Sequence, residues 1–188
     1  MVNENVKYAL EIGPGDHPAA QAGDGYVWHT LEHPIARSVG DGLVGEWGVE
    51  ATAVVDGAYD LIYAAHVLEH VPWFRTGAAL AEAYRMLAPG GTIELWVPDF
   101  AYLVKCYREQ KCGDEWRHEN PHGDPMTWLN GRLFTYGPEP NFHKACFDDS
   151  SLYNHLRAAG FERVGRLHGH ERGHRHGPIS LGMKGERP

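Results

Sequence analysis

Apolar and polar positions along the chain alternate between short β-type runs and longer stretches of helical period. Residues 8–12 form a short apolar run that carries Glu11 and enters the turn Gly13-Pro14-Gly15; Asp16 and Pro18 then signal the cap and first turn of a helix. Residues 25–32 form a second β-rich run, ending on Glu32. From His33 to Asp56 the pattern is weak, with one candidate strand at 51–55. At 59–71, YDLIYAAHVLEHV places a β-prone core, Leu61-Ile62-Tyr63, ahead of small residues and His66. Pro72 opens a helix on which Trp73, Gly77, Leu80, Tyr84 and Leu87 recur at intervals of four and three, predicting one buried face. Ala88-Pro89-Gly90-Gly91 stops it, and 92–97 reads as a strand followed by Pro98-Asp99.

The second half is less regular. Residues 100–108 read as a helix with Leu103 and Tyr107 on one face. Residues 109–143 are long, aromatic and rich in turn formers, with a short helix expected near 126–134; a loop of that length inside one domain is usually a lid. Asp148 or Asp149 caps a helix bearing Leu152 and Leu156 and stopped at Gly160, and two strands, 161–167 and 179–184, close the chain. The alternation predicts an α/β, Rossmann-like, doubly wound sheet. We expect a single domain over 1–188, with 109–147 as a lid or acceptor-binding insertion.

Charge changes what the first turn is expected to bind. A phosphate cradle usually joins helix amides to a nearby Lys, but here Glu11 precedes the turn, Asp16 follows it, and no Lys or Arg lies between Lys7 and Arg37. Acids repel a pyrophosphate and suit a ligand that carries an ammonium and a sulfonium, as S-adenosylmethionine does. A bland tight turn is the competing interpretation. Glu32, at the end of the second strand, is placed either to bind ribose hydroxyls or simply to end the strand in solvent, and Asp41 reads first as a turn residue and second as a partner for a base amino group.

Composition excludes other classes. The chain has 188 residues and a formal charge of -8, which argues against nucleic acid as an obligate partner. No apolar run approaches a membrane span and the N-terminus does not resemble a signal peptide, so a soluble, cytoplasmic protein is expected. Cys106, Cys112 and Cys146 form no CxxC pair, which suits reduced thiols. His168, His170, His174 and His176 invite a metal reading, but glycines and charges interrupt them; a polar turn between the last two strands is expected, with no metal.

Four runs, in order, carry a resemblance: ALEIGPG, YDLIYAAHVLEHV, EAYRMLAPGGTIELWVPD and NFHKACFDDSSLYNHLRAAGFERV. Together they resemble class I S-adenosylmethionine-dependent methyltransferases, in particular small predicted methyltransferases of glycan and surface-polysaccharide gene clusters. The resemblance implies a seven-stranded sheet with the last strand antiparallel and S-adenosylmethionine as cofactor. It places Glu11, Gly13, Pro14, Gly15, Glu32, Asp41 and His66 at the cofactor, with His17 standing where a third glycine is frequent. It also implies a small polar acceptor, such as a sugar or sugar nucleotide.

Methyl transfer is an in-line displacement, so alignment and exclusion of water do most of the work, and a hydroxyl acceptor also benefits from a base. His143, Asp99 and His70 are the candidate catalytic residues, in that order of preference for the first two; His66 is assigned to the cofactor pocket wall. Capping of the following helix is the duller role for Asp99. A module that binds the cofactor without transfer and acts through a protein partner is the alternative, and a nicotinamide oxidoreductase is disfavoured by the acidic turn.

Overall fold

The computed structural model describes residues 6–14, 25–32, 43–45, 47–48, 54–111, 123–135, 142–168 and 177–188. Its strands are β1 (Lys7–Ile12), β2 (Tyr26–Glu32), β3 (Leu43–Val44), β4 (Tyr59–Ala65), β5 (Leu87–Pro98), β6 (Glu162–Leu167) and β7 (Ser180–Glu186). Its helices are α1 (Thr76–Met86), α2 (Phe100–Glu109), α3 (Pro125–Phe134) and α4 (Asp149–Ala158). Single 3-10 turns at Leu68–His70 and Trp73–Arg75 link β4 to α1.

The strands form one sheet in the order β3-β2-β1-β4-β5-β7-β6. Pairing is parallel from β3 to β5, and β7 runs antiparallel to both β5 and β6. This is the expected α/β, Rossmann-like sheet. The seventh strand is represented only by the two residues of β3, and the region expected to supply it, 51–55, has no strand among its described residues, Val54 and Val55.

From β1 the chain steps outward to β2 and β3, then returns to place β4 on the other side of β1. Ligands in open α/β sheets bind outside the carboxyl ends of the strands at such a reversal. The register levels those ends: Ile12 pairs with Leu31 on one side and with Ala64 on the other. Residues just after these three positions therefore share one edge.

One face of the sheet carries the main core, including Leu10, Ile12, Ile62, Ala64, Ile93 and Leu95, packed with Leu80 and Ala83 of α1 and Leu152 and Leu156 of α4. Strands buried on both faces need near-continuous apolar sequence, which 59–65 and 92–97 supply. Side chains alternate along a strand, so Glu11 lies on the opposite face from Leu10 and Ile12, and it is nevertheless buried.

The expected α1 face is corrected. The helix begins at Thr76 and buries Thr76, Ala79, Leu80, Ala83 and Met86, while Trp73 is 70% exposed on the preceding turn. The strand after it is longer than expected: Tyr59 pairs with Leu87 and Leu61 with Thr92, so the four residues from Ala88 to Gly91 bulge between two paired positions. Capping at α4 falls on Asp148, whose side chain accepts from Ser151 N while the Ser151 hydroxyl accepts from Asp148 N.

The 109–147 segment is partly core. Trp128 of α3 is fully buried against Leu103 and Cys106 of α2. Cys106 is disulfide-bonded and Cys146 is a free thiol, which corrects the expectation that every cysteine is reduced. Among the described residues no helix is long and apolar enough to cross a membrane.

Candidate active site

The first turn needs glycine for two separate reasons. Gly13 has φ +64°, and a Cβ built on it would lie 2.7 Å from Cγ2 of Val67. Its N–H donates to Leu31 O at 2.8 Å, which ties the turn to the end of β2. Val67 follows His66, itself at φ +57°, a region that a residue with a side chain occupies only at a cost. His66 is held there by its N–H donating to Trp96 O at 2.8 Å, and its ring nitrogens lie 3.2 Å from Glu69 Oε1 and 3.2 Å from Ser180 Oγ. Glu11 and Glu32 are 3% and 5% exposed.

Glu11, Gly13, Pro14, Glu32 and His66 thus lie at or just after the carboxyl ends of β1, β2 and β4, which the register levels. A glycine turn whose Cβ space is closed by Val67, flanked by two buried acids, fits a ligand that approaches the main chain closely and carries positive charge. Gly15 and Asp41 lie outside the described residues.

A second group forms just beyond β4. Glu69 is 1% exposed, on the 3-10 turn Leu68–His70. Its carbonyl accepts from Lys144 N at 2.6 Å and from Ala145 N at 3.0 Å, and Trp73 N donates to Lys144 O at 3.2 Å. These bonds pin the 142–147 loop onto the turn and bring His143 over Glu69 and His70. His143 Nε2 lies 4.0 Å from Glu69 Oε1, and the His70 and His143 rings meet edge to face at 5.0 Å between centroids. His143 Nδ1 is 3.1 Å from Arg132 O, and His70 Nδ1 is 3.2 Å from Phe142 O. A carbonyl can only accept, so each Nδ1 carries a proton, which makes Nε2 the lone-pair atom of the ring in its neutral form.

Burial pushes the pKa of His143 below its usual value; the Glu69 charge raises it in partial opposition, His70 and His66 lower it further, and the Arg132 carbonyl raises it. His143 is therefore neutral near pH 7. A cleft beside it is lined by Pro98, Phe100, Leu103, Arg132 and Leu133.

Residues 2–164 match the family model described as a methyltransferase domain. The chain belongs to that family. Solved structures with the same fold include the S-adenosylmethionine-dependent methyltransferase SibL in its apo form, with a TM-score of 0.61 and 19% identity over 98% of this chain and 51% of that one. The CurJ carbon methyltransferase gives a TM-score of 0.60 and 15% identity over 100% of this chain and 50% of that one. A methyltransferase from Methanosarcina mazei gives 0.59 and 18%, over 97% and 93% of the two chains. The chain spans about half the length of the SibL and CurJ structures. No curated protein matches it in sequence.

Within this methyltransferase domain, Asp99 makes the capping contacts that were the duller of its two expected roles. Its Oδ1 accepts from Ala101 N at 3.0 Å and Tyr102 N at 3.3 Å, capping α2, and its Oδ2 pairs with Arg166 at 3.1 Å. Both oxygens thus have donors in this structure, so Asp99 caps α2 and pairs with Arg166 whatever further part it plays. Glu69 is the residue that sequence reasoning missed. Its signal was present: it stands three residues after His66 and next to His70, in the methyltransferase run 59–71.

Proposed function

We propose that the chain transfers the methyl group of S-adenosylmethionine to a hydroxyl or amine of a small polar acceptor, such as a sugar or sugar nucleotide, bound against Glu69, His70 and His143. When bound, the cofactor supplies a methyl group activated on a sulfonium. The Gly13 turn receives its methionine end, Glu11 offsets its positive charge, and Glu32 accepts from the ribose hydroxyls. Gly15 and Asp41 complete the site as assigned on sequence, the second beside the adenine. His66 forms a wall between the cofactor and the acceptor.

The observation that carries this reading is the convergence at the end of β4. Val67, which packs over the Gly13 turn, is one residue from His66 and two from Glu69, so a cofactor seated on the turn lies beside the Glu69–His143 pair. His143 is neutral, with its Nδ1 proton held by Arg132 O, and its Nε2 is the atom available to take the acceptor's proton as the new bond forms. His70 has the same tautomer and lies alongside to orient the acceptor. Residues 109–147, carrying Phe142 into the site, serve as the acceptor lid.

The test is incubation of the protein with methyl-labelled cofactor and pooled cell metabolites. Label is expected on a small molecule, with loss of most of that transfer in His143→Ala while cofactor affinity is kept. Label on protein alone, or on nothing, sinks the small-acceptor reading and favours a cofactor-binding module.

A further inference from the structure

Three Lewis-basic side chains converge beyond β4 with spacing suited to an ion. The ligand atoms of Glu69, His70 and His143 all lie within 4.8 Å of one another. We propose that they form a binding site for a first-row divalent cation of the zinc or manganese type, held by the Glu69 carboxylate and by Nε2 of His70 and His143.

Two features beyond proximity support the site. The first is the outer contact of each histidine. Metal-binding imidazoles almost always donate their other N–H to a carbonyl or carboxylate, which fixes the ring and the tautomer. His70 does so to Phe142 O and His143 to Arg132 O. The second is Glu69, 1% exposed: its Oε1, the oxygen facing His143, also meets His66 Nδ1 at 3.2 Å, and its Oε2 has no hydrogen-bond partner among the described residues. A buried carboxylate oxygen left without a donor carries a desolvation cost, and a cation offsets it.

The geometry is close to that of a filled site. Bonds of about 2.0–2.2 Å set neighbouring ligand atoms roughly 3–3.5 Å apart, so a pair at the 4.8 Å limit closes by about 1.3–1.8 Å on binding. Side-chain rotation and the loop position of His143 allow that. Two imidazoles favour zinc or manganese over magnesium, which prefers oxygen ligands and retained water. Three protein ligands leave a coordination position open.

The open position deepens the function proposed above and rests on it: an acceptor hydroxyl enters there with its acidity raised by the ion. The O–C bond then forms as the S–C bond breaks, and the hydroxyl proton passes to water. In the ion-free protein His143 Nε2 receives that proton; with the ion bound the same lone pair is used in ligation.

Binding is tested with Co²⁺ alone, without cofactor or acceptor, on the full chain stripped by chelator. Visible absorption should rise to an end point at one equivalent, and Zn²⁺ should displace the signal. Glu69→Gln and His143→Ala should each weaken binding at least tenfold, about 1.4 kcal/mol. Replacing His168, His170, His174 and His176 together with Ser should leave that equivalent in place. The proposal is overturned by absence of binding in the parent chain, by full affinity in His143→Ala, or by loss of the equivalent only in the four-histidine variant. Should Glu69→Gln fail to fold, His143→Ala still decides, because its side chain lies on a loop. Failure to bind Co²⁺ leaves the transfer assay unaffected, and failure of transfer leaves the binding result unaffected.

Discussion

Nε2 of His143 stands 4.0 Å from Oε1 of Glu69, a contact made because two main-chain N–H groups of the 142–147 loop donate to the Glu69 carbonyl. Burial depresses the His143 pKa below its ordinary 6.5, and the Glu69 charge limits the depression. The unfolded chain thus binds a proton more readily than the folded one. The stability contributed by neutral His143 is fully present above about pH 6.5 and is lost as pH falls through the folded value. In the chelator-treated protein, an NMR titration should place the His143 midpoint below 6.5, and Glu69→Gln should move it lower still. A midpoint at or above 6.5, or an upward move in Glu69→Gln, contradicts the assigned balance of burial and charge.

Gly13 and Gly77 make a matched pair of substitutions. At Gly13, alanine must adopt φ +64° and push against Val67. The backbone alone costs about 1–2 kcal/mol, and the added carbon fills space at the cofactor turn. At Gly77, exposed in the first turn of α1, an added Cβ meets nothing within 4 Å, and alanine should stabilise by up to about 1 kcal/mol. Calorimetry should show S-adenosylmethionine binding kept in Gly77→Ala, lost in Gly13→Ala, and weakened in Glu32→Ala by about 1.5–3 kcal/mol through removal of charged hydrogen bonds. NAD should give no heat with any of them. Equal affinity in Gly13→Ala and the parent removes the turn from the cofactor site.

Asp99 separates a cap from a base. Asparagine keeps a side-chain oxygen for the α2 N-terminus, whereas alanine removes it and also leaves Arg166 without that carboxylate. Asp99→Ala should lower unfolding free energy by about 0.5–2 kcal/mol, and Asp99→Asn by less, with methyl transfer close to the parent level in Asp99→Asn. A loss of turnover in Asp99→Asn as large as in His143→Ala makes it a catalytic residue as well.

What was legible in the sequence was local. The Gly13 turn, the acid ending β2 and the Asp148 cap each depend on neighbours within a few residues, and the structure places all three where the pattern predicts. The α1 face was misplaced because the 3-10 turn Trp73–Arg75 changes the angular spacing before the helix begins, leaving Trp73 outside the core. β3 has two residues and no pattern long enough to detect. Nothing in the sequence around Glu69 signals that it is buried. Its burial depends on the 142–147 loop, distant in sequence. Asp99 carried both roles in the sequence, and the capping one becomes visible only with the positions of the Ala101 and Tyr102 amides and of Arg166.

The 109–147 segment divides into a packed part and an exposed part. Trp128 of α3 is fully buried against α2, so it acts as core; Phe134 and Phe142 are 55% and 38% exposed. If the segment is the acceptor lid, these two classes of aromatic residue respond differently. Trp128→Ala should lose about 3–5 kcal/mol of stability, as large aromatic truncations in a core do. Phe134→Ala and Phe142→Ala should leave stability within about 0.5 kcal/mol and raise the acceptor KM, because only contacts with acceptor are removed. Denaturant titrations together with steady-state kinetics on an identified acceptor make the comparison. An unchanged KM in both phenylalanine variants would take the lid role away from the segment and leave α3 as a structural support for His143 through the Arg132 carbonyl.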